Sequence, residues 1–240
     1  MSRADQYFKS GQYDNAEVEY INVIRLDPDN QAAFERLATI YFDEGRFGRA
    51  VECLLKGKQL QPDNPDVHIK LGLIYQAAGK IKEARDEAMF VLDKRPQDEE
   101  APVLLAGTSI TPQEIEETRQ RLQELVGPAG SSAPVQMALG TLAFRAHDLK
   151  AAEAAYKQAQ TIDPKSSAAY AGLAQLASAQ GNLKLAEQHF KTSADLAPAR
   201  SGRQLQYAQF EIRNGDAAAG KEILSKVVKK APDYLPAWTG

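Results

Sequence analysis

The side chains best suited to nucleophilic or transition-metal chemistry are few in this chain: His68, His147, His189 and Cys53. A zinc site draws three or four nitrogen, sulfur or carboxylate ligands from short, fixed spacings, such as Cys-x-x-Cys or two histidines one helical turn apart. None of the four residues has another of the four at such a distance. A nucleophilic cysteine needs a histidine base in a recognisable motif. Cys53 instead stands beside Leu54 in an apolar stretch and reads as a small packing residue. The carboxylate runs Asp98-Glu99-Glu100 and Glu114, Glu116, Glu117 fall near helix starts, where the helix dipole favours negative charge without any active site. No glycine-rich phosphate loop, Walker pattern or nucleophile elbow occurs. The reading is of a non-enzyme, with no catalytic residue, no metal and no cofactor.

These residues are carried by a chain of average soluble composition, 43% apolar and 25% charged. A net charge of -3 supplies no basic footprint for nucleic acid. One cysteine excludes an internal disulfide framework. No apolar run approaches the roughly 18 residues that span a bilayer, and the first residues have no signal-peptide pattern.

What positions the side chains is a repeat. Prolines recur at Pro28, Pro62, Pro96, Pro164, Pro198 and Pro232, at intervals of 34 residues or, once, 68, with Gly130 where the skipped proline would fall. If that proline is position thirty-two of each unit, position seven holds Leu37, Leu71, Leu105, Leu139, Leu173 and Tyr207. Position eight holds Ala4, Ala38, Gly72, Ala106, Gly140, Ala174 and Ala208; position twenty holds Ala16, Ala50, Ala84, Thr118, Ala152, Ala186 and Gly220. Position twenty-four is Tyr20, Leu54, Ala88, Leu122, Tyr156, Phe190 and Leu224. Small residues at eight and twenty allow two helix backbones to approach, and large residues around them fill the remaining volume. Asn30, Asn64, Asp98 and Ser132 are expected helix N-caps. Gly11, Gly45, Gly79, Gly181 and Gly215 are expected to end first helices in the left-handed conformation, with His147 in the equivalent place in its unit. Gly220 is expected to weaken its unit by up to about 1 kcal/mol relative to alanine.

Period and pattern resemble the tetratricopeptide-repeat family over essentially the whole chain. The resemblance implies an all-α, right-handed superhelical solenoid of about seven helical hairpins, a single domain over residues 1–240. Its units are 1–30, 31–64, 65–98, a degenerate 99–132, 133–166, 167–200 and 201–234, with the start of an eighth in 235–240. In the degenerate unit Gly107-Thr108-Ser109 shortens the first helix, and Thr111-Pro112-Gln113-Glu114 reads as a capping box opening a second helix from Pro112 to about Val126. Gly127 to Ser132 then form a looser turn, and the whole unit reads as a drifted repeat or a hinge. Met1 enters at position five, and Trp238 opens an eighth unit, so the chain is expected to be a segment of a longer array, truncated at both ends.

In this family the first helices line a concave groove, with positions two, five, nine, twelve and thirteen facing it. Carried over residue by residue, the groove comprises Phe8, Phe42, Ile69, Leu73, Gln76, Ile110, Met137, Phe144, Ile212 and Arg213, among polar neighbours Asp5, Lys9, Glu35, Asp43, Arg145 and Gln209. An apolar stripe rimmed by charge suits a peptide or protein partner, unless packing against neighbouring hairpins consumes it. The Lys and Asn clamp of chaperone-binding members is replaced by Glu35 and Thr39, then Ile69 and Leu73. RNA is disfavoured because these positions are mainly apolar or neutral. The phrases Tyr13 to Tyr20, Leu196 to Ser201 and Lys230 to Trp238 resemble bacterial tetratricopeptide lipoproteins, some of which accompany exosortase-type sorting and exopolysaccharide systems. That implies an extracytoplasmic scaffold with its lipid anchor upstream of Met1; without one, the chain would be cytoplasmic. The expected function is therefore a protein-binding scaffold without membrane insertion and with possible end-to-end self-association. The alternative is the recognition arm of a larger enzyme.

Overall fold

The computed structural model describes residues 2–126, 132–198, 201–214 and 217–230. The backbone divides into two compact bodies, Met1–Pro96 and Gln97–Gly240. The N-terminal body contains α1 (Ser2–Lys9), α2 (Tyr13–Leu26), α3 (Gln31–Asp43), α4 (Phe47–Leu60), α5 (Pro65–Ala77) and α6 (Ile81–Lys94). The C-terminal body contains α7 (Ala101–Thr108), α8 (Pro112–Glu124), α9 (Ala133–Arg145), α10 (Leu149–Ile162), α11 (Ser167–Ala179), α12 (Leu183–Leu196), α13 (Gly202–Asn214) and α14 (Ala217–Lys230). The described residues are all-α, and odd and even helices pair as successive hairpins.

The small positions are where the helices meet. Ala38, Ala106, Ala174 and Ala208 at position eight, and Ala16, Ala50, Ala84, Ala152 and Ala186 at position twenty, are fully buried. The ring of Tyr156 lies so close to α9 and α11 that a Cβ on Gly140 would fall 2.5 Å from it, and one on Gly172 2.8 Å. Gly220 corrects the sequence expectation. A Cβ there would stand 2.7 Å from the Ala208 carbonyl oxygen and 2.6 Å from Ile212, so the approach of α13 and α14 requires glycine. Gly11, Gly45, Gly79 and Gly181 turn at φ values of 73°, 72°, 73° and 76°, while Gly215 lies outside the described residues. His147 takes the same turn at φ 60°, a conformation in which a side chain costs energy that glycine does not.

Asn30, Asn64 and Ser132 accept the expected cap hydrogen bonds from Ala33, Asp66 and Val135. Asp98 acts from outside its helix: α7 begins only at Ala101, and the Asp98 carboxylate accepts the amides of Glu100 and Ala101 at 2.9 and 2.8 Å. The capping box of α8 is complete, with Thr111 accepting from the Glu114 amide and Glu114 accepting from the Thr111 amide at 2.8 Å. α7 is short, as expected from Gly107-Thr108-Ser109, and packs chiefly on α9. Ser109 and Thr118 occupy positions where other units hold tyrosine or alanine; buried, their hydroxyls bond each other at 2.8 Å. The residues 127–131, in which a looser turn was expected, and the expected start of an eighth unit, residues 235–240, lie outside the described residues.

Successive hairpins of the N-terminal body are tied by charge. The Glu17 carboxylate of α2 accepts hydrogen bonds from Tyr41 at 2.9 Å, Arg46 at 2.6 and 3.0 Å, and Arg49 at 3.1 Å. The Arg46 hydrogen bond is the main cause holding the Glu17 carboxyl below the usual glutamate range. A depressed carboxyl stabilises the fold above its unfolded pKa, and that contribution is lost as pH falls through the folded value. Thermal stability should therefore drop on acidification below the glutamate range, and Glu17→Gln should flatten this dependence in melts recorded across pH. His147→Gly should raise stability by about 0.5–1 kcal/mol through relief of the left-handed turn. Gly220→Ala should instead lower it by about 1–3 kcal/mol, as overpacking does; chemical denaturation reads both.

Candidate partner-binding face

His68, His189 and Cys53 sit in packed surroundings. His68 is buried, stacked on Phe90 with ring centroids 3.7 Å apart, and engaged at both nitrogens, by the Pro62 carbonyl at 2.8 Å and by the Glu87 carboxylate. Glu87 also accepts from Lys58 at 2.7 Å, which joins α4 to α6. His189 is half-buried near Tyr170, and burial is the first cause lowering its pKa, with Lys157 second. Burial pushes the Cys53 thiol up to about 11, so it is not a thiolate at neutral pH. Among the described residues no group of three or more His, Cys, Asp or Glu could hold a metal ion.

The expected groove residues divide by burial. Ile69 is 6% and Met137 7% exposed, so both are buried and offer a partner little surface. Ile110 and Ile212 are 61% and 39% exposed; Arg213 is exposed, and Leu73, Gln76, Phe8, Phe42 and Phe144 are half-buried. Some position-twelve residues also serve the packing of their own hairpin. Phe8 stacks on Tyr13 at 5.6 Å and Phe42 meets Phe47 edge-on at 5.9 Å. Phe144 and Leu149 share a cluster in the same way. In these three hairpins position twelve packs toward position seventeen.

Between the first helices of the N-terminal body the polar groups are already paired. The Arg36 guanidinium lies 4.9 Å over the Phe8 ring. Glu35 accepts from Gln31 at 2.7 Å and Asn64 at 2.8 Å. Lys70 donates to Thr39 at 2.6 Å, and burial lowers its pKa despite Asp43, Asp66 and Glu35 nearby. Sequence reasoning passed over Arg36 and Lys70, because both stand at position six, outside the inherited groove positions. In the C-terminal body Arg145, expected to be a groove polar neighbour, donates to the carbonyls of Ser109 and Gly107 at 2.5 and 2.8 Å. Its guanidinium terminates the shortened α7, whose last carbonyls lack helical partners.

Models of the tetratricopeptide repeat match residues 1–30 and 143–199, and a further TPR-repeat model matches 38–79, together just over half of the chain. The chain belongs to the tetratricopeptide-repeat family. Among solved structures, this tetratricopeptide-repeat chain is similar to a tetratricopeptide repeat protein from Parabacteroides merdae, at 14% identity, with 100% of this chain and 97% of the other covered and a TM-score of 0.71. A thermophilic TPR protein from Thermus thermophilus is similar at 18% identity over 75% of this chain and 98% of its own, with a TM-score of 0.62. A chain of the APC/C hetero-tetramer Cut9-Hcn1 matches at 13% identity over 98% of this chain and 47% of its own, with a TM-score of 0.63. At these identities the likeness is one of fold. No curated protein matches. Among the described residues no helix is long and apolar enough to cross a membrane.

Because Phe42 packs on Phe47 and remains half-exposed, Phe42→Ala should cost about 1–2 kcal/mol, against about 2–5 kcal/mol for the fully buried Leu71→Ala. Equal losses in denaturant melts would place Phe42 wholly in the core and remove it from the partner-binding face.

Proposed function

We propose that the chain is a protein-binding scaffold whose first-helix faces dock a peptide or protein segment. The observation that carries this reading is the surviving exposure at the expected groove positions: Ile212 on α13 and Ile110 just after α7 stand out to solvent, and Phe8, Phe42, Leu73 and Phe144 keep part of their surface free. In each body the apolar surface has polar neighbours, Glu35 and Asp43 in the N-terminal one and Gln209 and Arg213 in the C-terminal one, and such surface is suited to apolar anchors within a polar segment. The family places its partners on these helices, and the absence of assembled chemistry at His68, His189 and Cys53 agrees with binding rather than catalysis. The lipoprotein-like phrases support an extracytoplasmic place for the scaffold. The recognition arm of a larger enzyme is the second reading, and both use the same face.

A photo-crosslinking amino acid at Gln76 or Gln209 tests the face in the native host. Discrete protein adducts are expected from both positions, and few from Glu52 or Lys184 on the second helices. Adducts arising only from the second-helix positions would overturn the assignment.

A further inference from the structure

Position four of the repeat helps to decide how the space between successive second helices is filled. In α5 it is His68, whose ring stacks on Phe90 of α6 with centroids 3.7 Å apart. In α11 it is Tyr170, whose ring stands 6.0 Å from that of His189 on α12. The second helices that precede these two hairpins carry Lys58 and Gln160 at position twenty-eight. The hairpin of α13 and α14 departs from this at every point. Position four is Gln204, whose amide reaches back to the Ala194 carbonyl at 2.7 Å. Positions twenty-three and twenty-six are Ile223 and Lys226, and position twenty-eight of the preceding helix is Ala194. Two rings are gone, and a long side chain is cut to a methyl group.

The consequence is a cavity of about 480 Å³ between α12, α13 and α14. Ala194, Gln204, Ile223 and Lys226, which stand where the rings and the long chain would be, all line it, together with Tyr207 and Val227. Its size falls within the roughly 300–1,000 Å³ of clefts that hold ligands. Charge on the wall is balanced: Lys191 and Asp195 on α12 face it, as do Glu222 and Lys226 on α14, which pair with each other at 2.8 Å. A balanced wall offers no net attraction to an ion, so it suits an uncharged occupant. Tyr207 brings a ring to position seven, where five other units carry leucine. An uncharged ring gains from a second ring beside it beyond the apolar area that it buries.

We propose that this cavity receives an uncharged aromatic side chain of a protein partner. The partner's ring takes the place that the chain fills from within by His68 and Phe90 in one hairpin and by Tyr170 and His189 in another. The inference rests on the reading of the chain as protein-binding, but it concerns a surface other than the first-helix faces.

The test uses two neutral probes of similar size, N-acetyl-phenylalanine amide and N-acetyl-cyclohexylalanine amide, titrated into the isotope-labelled full chain and followed by amide and methyl NMR shifts. The phenylalanine probe should shift the amides of Tyr207, Ala219 and Ile223 saturably, and its ring current should displace the Ile223 and Val227 methyl signals. The cyclohexyl probe should bind about two- to tenfold more weakly, through loss of the ring pairing with Tyr207. Gln204→Tyr returns the ring of Tyr170 to position four, and Lys226→Phe returns that of Phe90 to position twenty-six. Either should weaken the phenylalanine probe by about tenfold, because the cavity is then filled from within; the second variant decides the matter if the first fails to fold. No response, equal binding of the two probes, shifts confined to the first-helix faces, or undiminished binding in the variants would each overturn the proposal. So would shifts of the same amides on concentrating the protein alone, which would seat a second copy in the cavity. Cross-linking from Gln76 and Gln209 does not depend on these outcomes, so the two readings can fail separately.

Discussion

Close approach of two helix backbones within each hairpin is the constraint on which the rest depends. It requires a residue no larger than alanine at position eight on the first helix, and the same at position twenty on the second wherever no other accommodation is made. Once the backbones are that close, the volume for large side chains lies to either side, and Leu37, Leu71, Leu105, Tyr20 and Leu54 fill it. Where the approach tightens further, alanine is already too large. Gly140 and Gly172 leave room for the Tyr156 ring, and Gly220 leaves room for the Ala208 carbonyl. The periodic small residues are therefore not weak points of the helices. They set the interaxial distance, and the helix propensity lost at glycine is small beside the packing that it permits.

The unit spanning α7 and α8 shows how this geometry survives a poor match to the repeat. Thr118 at position twenty is larger and more polar than alanine, yet it is fully buried. Its hydroxyl is satisfied by Ser109, which stands where the first three units carry a tyrosine. The shortened first helix leaves carbonyls without helical partners, and Arg145 supplies donors from the following hairpin. Each departure from the pattern is met by a specific hydrogen bond, so the unit reads better as a drifted repeat with compensations than as a defect.

The same residues that suit a partner also serve the hairpin. Phe8 and Phe42 are large and apolar because they cover the open end of the hairpin at Tyr13 and Phe47, and the part of each ring left over is what a partner could use. Exposure, not residue type, separates the two roles. Met137 and Ile69 are as apolar as Ile110 and Ile212, but only the last two stand out to solvent.

The all-α hairpin architecture, the unit length, the small positions, the capping box at Thr111 and the short helix before it were legible in the sequence, because each depends on local periodicity or on residues a few positions apart. What the tertiary structure decided involves residues brought together from different helices. Whether an apolar residue at a groove position is free or covered depends on the neighbouring elements, so Ile69 and Met137 could not be told from Ile110 by spacing. The role of Arg145 as a cap for α7 spans 36 to 38 residues of chain and has no sequence signature. Gly220 looked like a propensity defect until the distance to Ala208 showed that a methyl group has no space there. A one-dimensional pattern records which residue types recur, whereas the distances between helices, and the surface those distances leave uncovered, exist only once the hairpins are packed.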